Sequence, residues 1–280
     1  MYWLMRVHLK KLMNSSNDCQ AFIFAAGLGT RLRPITEKHP KPTIPLFGIP
    51  LGYYVLPYLD QLLVKKYIVN TFHLPEQIHA LYKNTKKEFL FSDEKDFIKG
   101  SAGGLKQAEK IISPDLPIIV ANSDEILFTK ENNFLAHALK QHLEKKSLAT
   151  LIVIQHPEAG HKFGGIWCDQ HQVKHIGKFS EKTTGLKAWH YIGLQILSPE
   201  VLKLIEPDKE LNIFYDTLIH QLDHKDISIY PIKADWYETG NYTDYHLAKS
   251  EISKNINKPF YKNHFDLLKK YPQSRLSDLT

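Results

Sequence analysis

A chain of 280 residues, 43% hydrophobic and 24% charged, has the material for one large or two small globular domains and not the composition of a disordered one. Its formal charge of +6 is scattered over Lys65-Lys66, Lys86-Lys87, Lys145-Lys146 and Lys269-Lys270, each at the end of an apolar stretch, which reads as solvated helix ends and not as a nucleic-acid stripe. Two distant cysteines, Cys19 and Cys168, argue against a disulfide framework, and no run of 18 apolar residues offers a membrane span, so a reducing, cytoplasmic setting without nucleic-acid or membrane partners is expected.

Residues 1–20 begin with apolar Met1 to Met5 and continue with Arg6, His8, Lys10 and Lys11, the reverse of a secretory signal, and are read as an extension. Ala21 to Ala25 is a short continuous apolar run, as in a strand buried on both faces of a parallel sheet. A Gly/Pro/Thr-rich stretch follows to Pro50, and Leu51 to Lys66 then carries apolar residues at helical spacing. Strands over 67–72, 88–91 and 116–121 alternate with helices over 75–82, 103–112 and 131–145. This is the pattern of an α/β fold in which ligands sit at the carboxyl ends of the strands. The second half is richer in strands, at 148–155, 163–168, 172–179, 188–197 and 227–232, with helices at 199–205 and 211–222. The expected architecture is a three-layer Rossmann-like α/β fold with a mixed, mainly parallel sheet and antiparallel additions. One domain over 21–250 would be followed by a C-terminal helix and tail over 251–280.

The segment after the first strand carries the chemistry. It reads Ala25-Ala-Gly-Leu-Gly-Thr-Arg-Leu-Arg-Pro-Ile-Thr36 and continues to Pro40-Lys-Pro42. Gly27 and Gly29 allow a tight turn with bare N–H groups facing an anion. Arg31 and Arg33 add forked donors suited to phosphate, and Lys41 is stiffened between two prolines. A dinucleotide fingerprint fails because Leu32 stands where its third glycine belongs. A Walker A loop fails because Thr30-Arg31, not Lys-Ser/Thr, follows Gly29.

That signature resembles the sugar-nucleotide pyrophosphorylases, among them mannose-1-phosphate guanylyltransferases and heptose- or N-acetylmuramate-phosphate nucleotidyltransferases. The resemblance runs from about Ala21 to Ala248. It implies the nucleotidyltransferase fold, with Arg31 and Lys41 as the catalytic cations on the triphosphate. Ala26, Gly27, Gly29, Thr30 and Asn122 would contact the nucleotide, and Gly103, in Gly100-Ser-Ala-Gly-Gly104, the base. There Ser101 replaces the family's Thr, and the form of the segment resembles the guanylyl branch more than the thymidylyl branch, which points to GTP. Asp124, at the end of Val120-Ala-Asn-Ser-Asp124, would be one Mg²⁺ ligand; read without the resemblance, it is equally an Asx turn or a helix cap. Glu238, in Trp236-Tyr-Glu-Thr-Gly-Asn241, stands where the family has an Asp as second metal ligand. Glu181 and Lys182, in Lys178-Phe-Ser-Glu-Lys182, would hold sugar hydroxyls and the sugar phosphate, and Tyr191 and Gly193 would line the sugar pocket.

The reaction implied is attack by the phosphate oxygen of a mannose- or heptose-like sugar 1-phosphate on the α-phosphorus of a nucleoside triphosphate, releasing pyrophosphate. A phosphate monoester is largely dianionic at neutral pH, its second pKa being about 6, so no general base is required. Two rival readings stay open: a weakly catalytic relative that binds sugar nucleotide as a regulator, and a transferase for another phosphate such as phosphocholine. His220 and His224 share a predicted helix face but have no third metal ligand nearby in sequence.

Overall fold

A computed structural model describes residues 18–131 and 133–279, so most of the N-terminal extension lies outside the described residues. Strand β1 (Asp18–Phe24) starts three residues earlier than the apolar run alone indicates, because Asp18, Cys19 and Gln20 pair with β4 (Leu63–Thr71). Around β1 the sheet is parallel. β4 lies on one side, with β5 (Phe89–Asp93) beyond it, and β6 (Ile118–Asn122) lies on the other. The register sets Asn70, Phe24 and Asn122 side by side at the carboxyl ends of β4, β1 and β6.

Beyond β6 the direction reverses. β11 (Lys187–Leu197) runs antiparallel to β6, then β8 (Ala149–Ile154) antiparallel to β11, and β12 (Ile227–Pro231) parallel to β8. β10 (Gln172–Gly177) and β9 (Gly165–Asp169) complete nine strands, and β9 also pairs with the start of β11, curling this half back on itself. The sheet is thus mixed, parallel in one half and largely antiparallel in the other.

Strand alternation divides the interior into two cores. Ala21, Ile23, Ile119 and Ala121 point to one face; Phe22, Ile118 and Val120 point to the other. After two single-turn helices, α1 (Ile35–Lys38) and α2 (Leu56–Leu59), the first face is covered by helix α3 (Pro75–Lys83), by α5 (Phe134–Lys145), and by α6 (Tyr242–Asn255) and α7 (Pro259–Leu268). The second is covered by α4 (Gly100–Gln107) and by the short turns over Pro199–Leu204 and Ile213–Thr217. Each fully buried Ile or Leu in these layers contributes about 2 kcal/mol. Local chemistry sets the helix starts: Pro75 and Pro259 occupy first positions, and the Asn241 side chain accepts the Asp244 N–H.

Three expected helices give way. Leu51 to Lys66 is not one helix but a 3-10 turn (Leu51–Tyr53), one turn of helix (α2, Leu56–Leu59) containing Pro57, and the start of β4. Parallel pairing with β1 draws Leu63 to Lys66 into the sheet. The segment at 199–205 is wound as a 3-10 helix (Pro199–Leu204), and that at 211–222 is a π turn followed by a 3-10 turn (Leu218–Gln221). Residues after the sixth strand form an unforeseen two-stranded sheet, β7 (Ile126–Thr129) with β13 (Ala234–Tyr237), which joins segments about a hundred residues apart. Two further short strands, β2 (Pro45–Leu46) and β3 (Ile49–Pro50), form a hairpin after Lys41. No helix among the described residues is long and apolar enough to cross a membrane.

Candidate nucleotide site

The loop after β1 is held by its own backbone and by neighbours. The Ala25 N–H donates to Asn70 Oδ1 at 2.9 Å, fixing the point where the chain leaves the sheet. Gly29 has φ of 61° and its carbonyl accepts Thr36 Oγ1 at 2.9 Å. A Cβ there would stand 2.8 Å from Thr36 Cγ2, so both backbone angle and space require glycine. The 3-10 turn Thr30–Leu32 then buries Leu32 and turns Arg31 outward. Pro40 leads into a second 3-10 turn, Lys41–Thr43, closed by Thr43 Oγ1 donating to the Pro40 carbonyl at 2.8 Å. The Lys41 side chain is only 12% exposed, against 67% for Arg31, so Lys41 is a fixed charge and Arg31 a reaching one.

Facing this loop are two acids from elsewhere in the chain. Asp124 sits in the turn between β6 and β7, where the Ser123 N–H donates to the Phe24 carbonyl at 3.1 Å. Glu238 follows β13. The β7–β13 pairing brings these two turns together, and Thr239 Oγ1 donates to the Asp124 carbonyl at 3.4 Å. Asp124 is hydrogen-bonded to Lys41, and Glu238 lies 3.7 Å from Arg31. Gly240 closes the arrangement: a Cβ there would overlap the Glu238 carboxylate and approach Arg31 to 2.5 Å. The result is a cleft of about 360 Å³ lined by Gly27, Gly29, Thr30, Arg31, Lys41, Asn122, Ser123, Asp124 and Gly240, with Ala26 buried just behind. Thus Gly27, Gly29, Thr30, Arg31, Lys41, Asn122 and Asp124 converge, with Glu238 beside them. Ser123 is buried in the cleft wall.

The other candidates are placed apart from this cleft. Glu181 and Lys182 lie exposed on a 3-10 turn (Glu181–Thr183) in which the Ser180 N–H donates to Thr183 Oγ1 at 3.1 Å, and the charge of Lys182 adds to burial in holding His175 below the usual histidine range. Tyr191 packs edge-on against Phe214, with ring centroids 4.8 Å apart. Gly193 lies at a register break in β11 with φ of 72°. Gly103 is buried in the first turn of α4, where a Cβ would overlap the Lys209 carbonyl. Beside it the Ser101 hydroxyl accepts the Ile213 N–H at 2.8 Å.

One residue escaped sequence reasoning. Glu125 follows Asp124 and accepts hydrogen bonds from Asn122 Nδ2 and Trp236 Nε1, both at 2.8 Å. Its side chain fills the space in front of Gly193, where any Cβ would overlap it. Burial, and then the Asp124 charge, push its carboxyl up to about 8, against the lowering effect of its two donors. Nothing in the local sequence separates it from a surface acid; it becomes visible only once β11 and β13 are placed.

The chain has relatives among known proteins. Residues 20–255 match a protein family described as "Nucleotidyl transferase". The chain is 30% identical over 257 residues to a UTP–glucose-1-phosphate uridylyltransferase of Synechocystis, covering 85% of this chain and 64% of that protein. It is 29% identical over 259 residues to a mannose-1-phosphate guanyltransferase of Debaryomyces hansenii, covering 86% and 69% respectively. The chain therefore spans about two-thirds of the length of these relatives. Among solved structures, UDP-glucose pyrophosphorylase complexed with UDP-glucose superposes with a TM-score of 0.70 at 21% identity, covering 85% of this chain and 99% of that one. HddC from Yersinia pseudotuberculosis, complexed with GMP-PN, gives a TM-score of 0.64 at 24% identity, covering 84% and 99%. At such identities the likeness speaks for the fold.

Proposed function

Because this chain belongs to the nucleotidyl transferase family, we propose that it transfers a nucleoside monophosphate from a nucleoside triphosphate to a sugar 1-phosphate, releasing pyrophosphate and forming a nucleotide sugar. GTP and a mannose- or heptose-like sugar 1-phosphate are the proposed substrates. The Gly100–Gly104 segment and the guanyltransferase relatives support the base. One observation carries the reading: the strand-end glycine loop presents Arg31 and Lys41 to a cleft that Asp124 lines and Glu238 adjoins, each cation facing an acid.

Asp124 and Glu238 are the residues that would hold Mg²⁺. Their donor set fits that ion, because Mg²⁺ is commonly bound by one or two carboxylates with phosphate oxygens and water filling the rest of its shell. Among the described residues no three or more His, Cys, Asp or Glu side chains cluster for an all-protein cage. When bound, the ion supplies positive charge that offsets the triphosphate.

The chain's own residues do the rest. Without ligand, the two acids neutralise Arg31 and Lys41 across the cleft. An incoming triphosphate offers both cations phosphate oxygens instead. Lys41, half-buried and braced by Pro40 and Pro42, fixes the triphosphate in place. Arg31, exposed and longer, follows the charge that develops on the oxygen leaving the α-phosphorus. The Gly27 and Gly29 backbone allows close approach. Among the described residues no histidine or cysteine lines the cleft, in keeping with a nucleophile that is already anionic. On this reading Lys182 and Glu181, from their exposed turn, meet the sugar phosphate and sugar hydroxyls, and Tyr191 and Gly193 border the sugar. Activity should be assayed with each nucleoside triphosphate against a panel of sugar 1-phosphates. Arg31→Ala and Lys41→Ala should each lower kcat/KM by about a hundredfold or more. Unchanged activity in both variants would refute the assignment.

A further inference from the structure

Behind the cleft wall runs a chain of hydrogen bonds between buried polar side chains that takes no part in the chemistry above. The Ala25 N–H donates to Asn70 Oδ1 at 2.9 Å, Asn70 Nδ2 donates to Glu94 Oε1 at 2.8 Å, and the Lys99 N–H donates to Glu94 Oε2 at 2.6 Å. Asn70 is 2% exposed and Glu94 4%. Glu94 is itself pinned by its own N–H to the Thr71 carbonyl at 2.8 Å. Ala25 is the root of the phosphate loop, and Lys99 is the residue from which α4 and its Gly100–Gly104 segment begin.

We infer that Asn70 and Glu94 are positioning residues that set the distance between the phosphate loop and the Gly100–Gly104 segment, so that both engage one nucleotide. The inference rests on the nucleotidyl-transfer reading above.

Three features argue for it. The relay joins the ends of β1 and β4 to the start of α4, a helix that strand pairing does not reach and whose Ala102 N–H is held on its other side by the Leu211 carbonyl at 2.8 Å. Its polarity is determined: Ala25 and Lys99 bring only donors, so the pair between them must offer an acceptor at each end and one donor in the middle. Asn70 and Glu94 together do so. Finally, α4 is pressed onto the relay, because a Cβ at Gly104 would stand 2.7 Å from Asn70 Nδ2 and 2.9 Å from Glu94 Oε1. The helix therefore reads the relay's position directly.

The fixed polarity of the relay can be reversed by substitution. Glu94→Gln brings two amide groups face to face; either they oppose donor to donor, or one flips and opposes the Ala25 or Lys99 N–H. The double change Asn70→Asp with Glu94→Gln restores all three bonds with the middle one reversed. The introduced aspartate would accept from Ala25 and from the introduced glutamine, and that glutamine would accept from Lys99.

Binding is measured by calorimetry on the full chain with Mg²⁺, using each of the four nucleoside triphosphates and, separately, inorganic tripolyphosphate, which reaches only the phosphate loop. Glu94→Gln should weaken nucleotide binding about tenfold and tripolyphosphate binding less than about twofold, and the double variant should return nucleotide affinity to within about threefold of wild type. Equal losses for both ligands, or a double variant no better than the single, would overturn the relay. Should Glu94→Gln fail to fold, a folded double variant with wild-type nucleotide affinity supports it, and one with impaired affinity overturns it. A wild-type chain that binds tripolyphosphate but no nucleotide would instead overturn the nucleotidyl-transfer reading, and the relay's role with it.

Discussion

Replacing Gly193 with alanine should be disproportionately costly for the addition of one methyl group. Gly193 has φ of 72°, where a side chain costs about 1–2 kcal/mol. The new Cβ would also overlap the Glu125 carboxyl, which cannot swing away without giving up its bonds from Trp236 and Asn122. Losing one of these adds about 1–2 kcal/mol. The total is about 3 kcal/mol, or a fall in Tm of roughly 6–10 °C for a domain of this size. The attribution is checked by thermal melts of Gly193→Ala, Glu125→Ala and the double variant. Once Glu125 is shortened, the methyl has room, so the double variant should be more stable than the sum of the single losses predicts by about 1 kcal/mol or more. A Gly193→Ala protein that melts with wild type, or strictly additive losses, would refute the steric argument.

Three further outcomes follow from the same structure. Burial pushes His142 and His190 down to about 4 and His264 to about 3, so each is neutral in the folded protein while its unfolded counterpart, near 6.5, takes up a proton on acidification. Stability present at neutral pH is therefore lost as pH falls from about 6.5 toward 4, by about 2 kcal/mol per histidine at pH 5; a Tm unchanged between pH 7 and pH 5 would contradict this. Asp278 accepts the Phe47 and Gly48 N–H groups at 2.9 and 2.8 Å and lies 3.3 Å from Lys249, so Asp278→Ala should cost about 2 kcal/mol in denaturant unfolding, and a loss below about 0.5 kcal/mol would show the tail to be idle there. Gly240→Ala would drive a methyl into Glu238 and Arg31, so kcat/KM should fall at least tenfold while Tm changes little; unimpaired transfer would mean the cleft is drawn wrongly.

The parts of the site legible in sequence are those built from adjacent residues. Gly27, Gly29, Arg31 and Lys41 lie within one short segment, and their chemistry follows from residue type, proline bracketing and the preceding apolar strand. The strands around them were legible for the same reason, since alternation and continuous apolar runs are local signals. The acids were different. Lys41 meets Asp124 across 83 residues, and nothing about spacing selects that carboxylate from thirty acidic residues; only likeness to a family did so. The β7–β13 sheet, which sets the two acid turns side by side, has no local signature, because each strand has four residues and its partner lies far away. Glu125 was silent for the same reason. Leu51 to Lys66 shows the opposite failure, where helical spacing was real but Pro57 and pairing with β1 overrode it.

The central claim, that this cleft exchanges pyrophosphate at the α-phosphorus of a nucleoside triphosphate when a sugar 1-phosphate is the partner, is tested most directly by isotope exchange. Labelled pyrophosphate should be incubated with Mg²⁺, the full chain and a panel of nucleotide sugars, with GDP-mannose among them. Label should enter the matching triphosphate, require Mg²⁺ and fall at least a hundredfold in Arg31→Ala. Retained nucleotide binding with no exchange from any nucleotide sugar would contradict the claim.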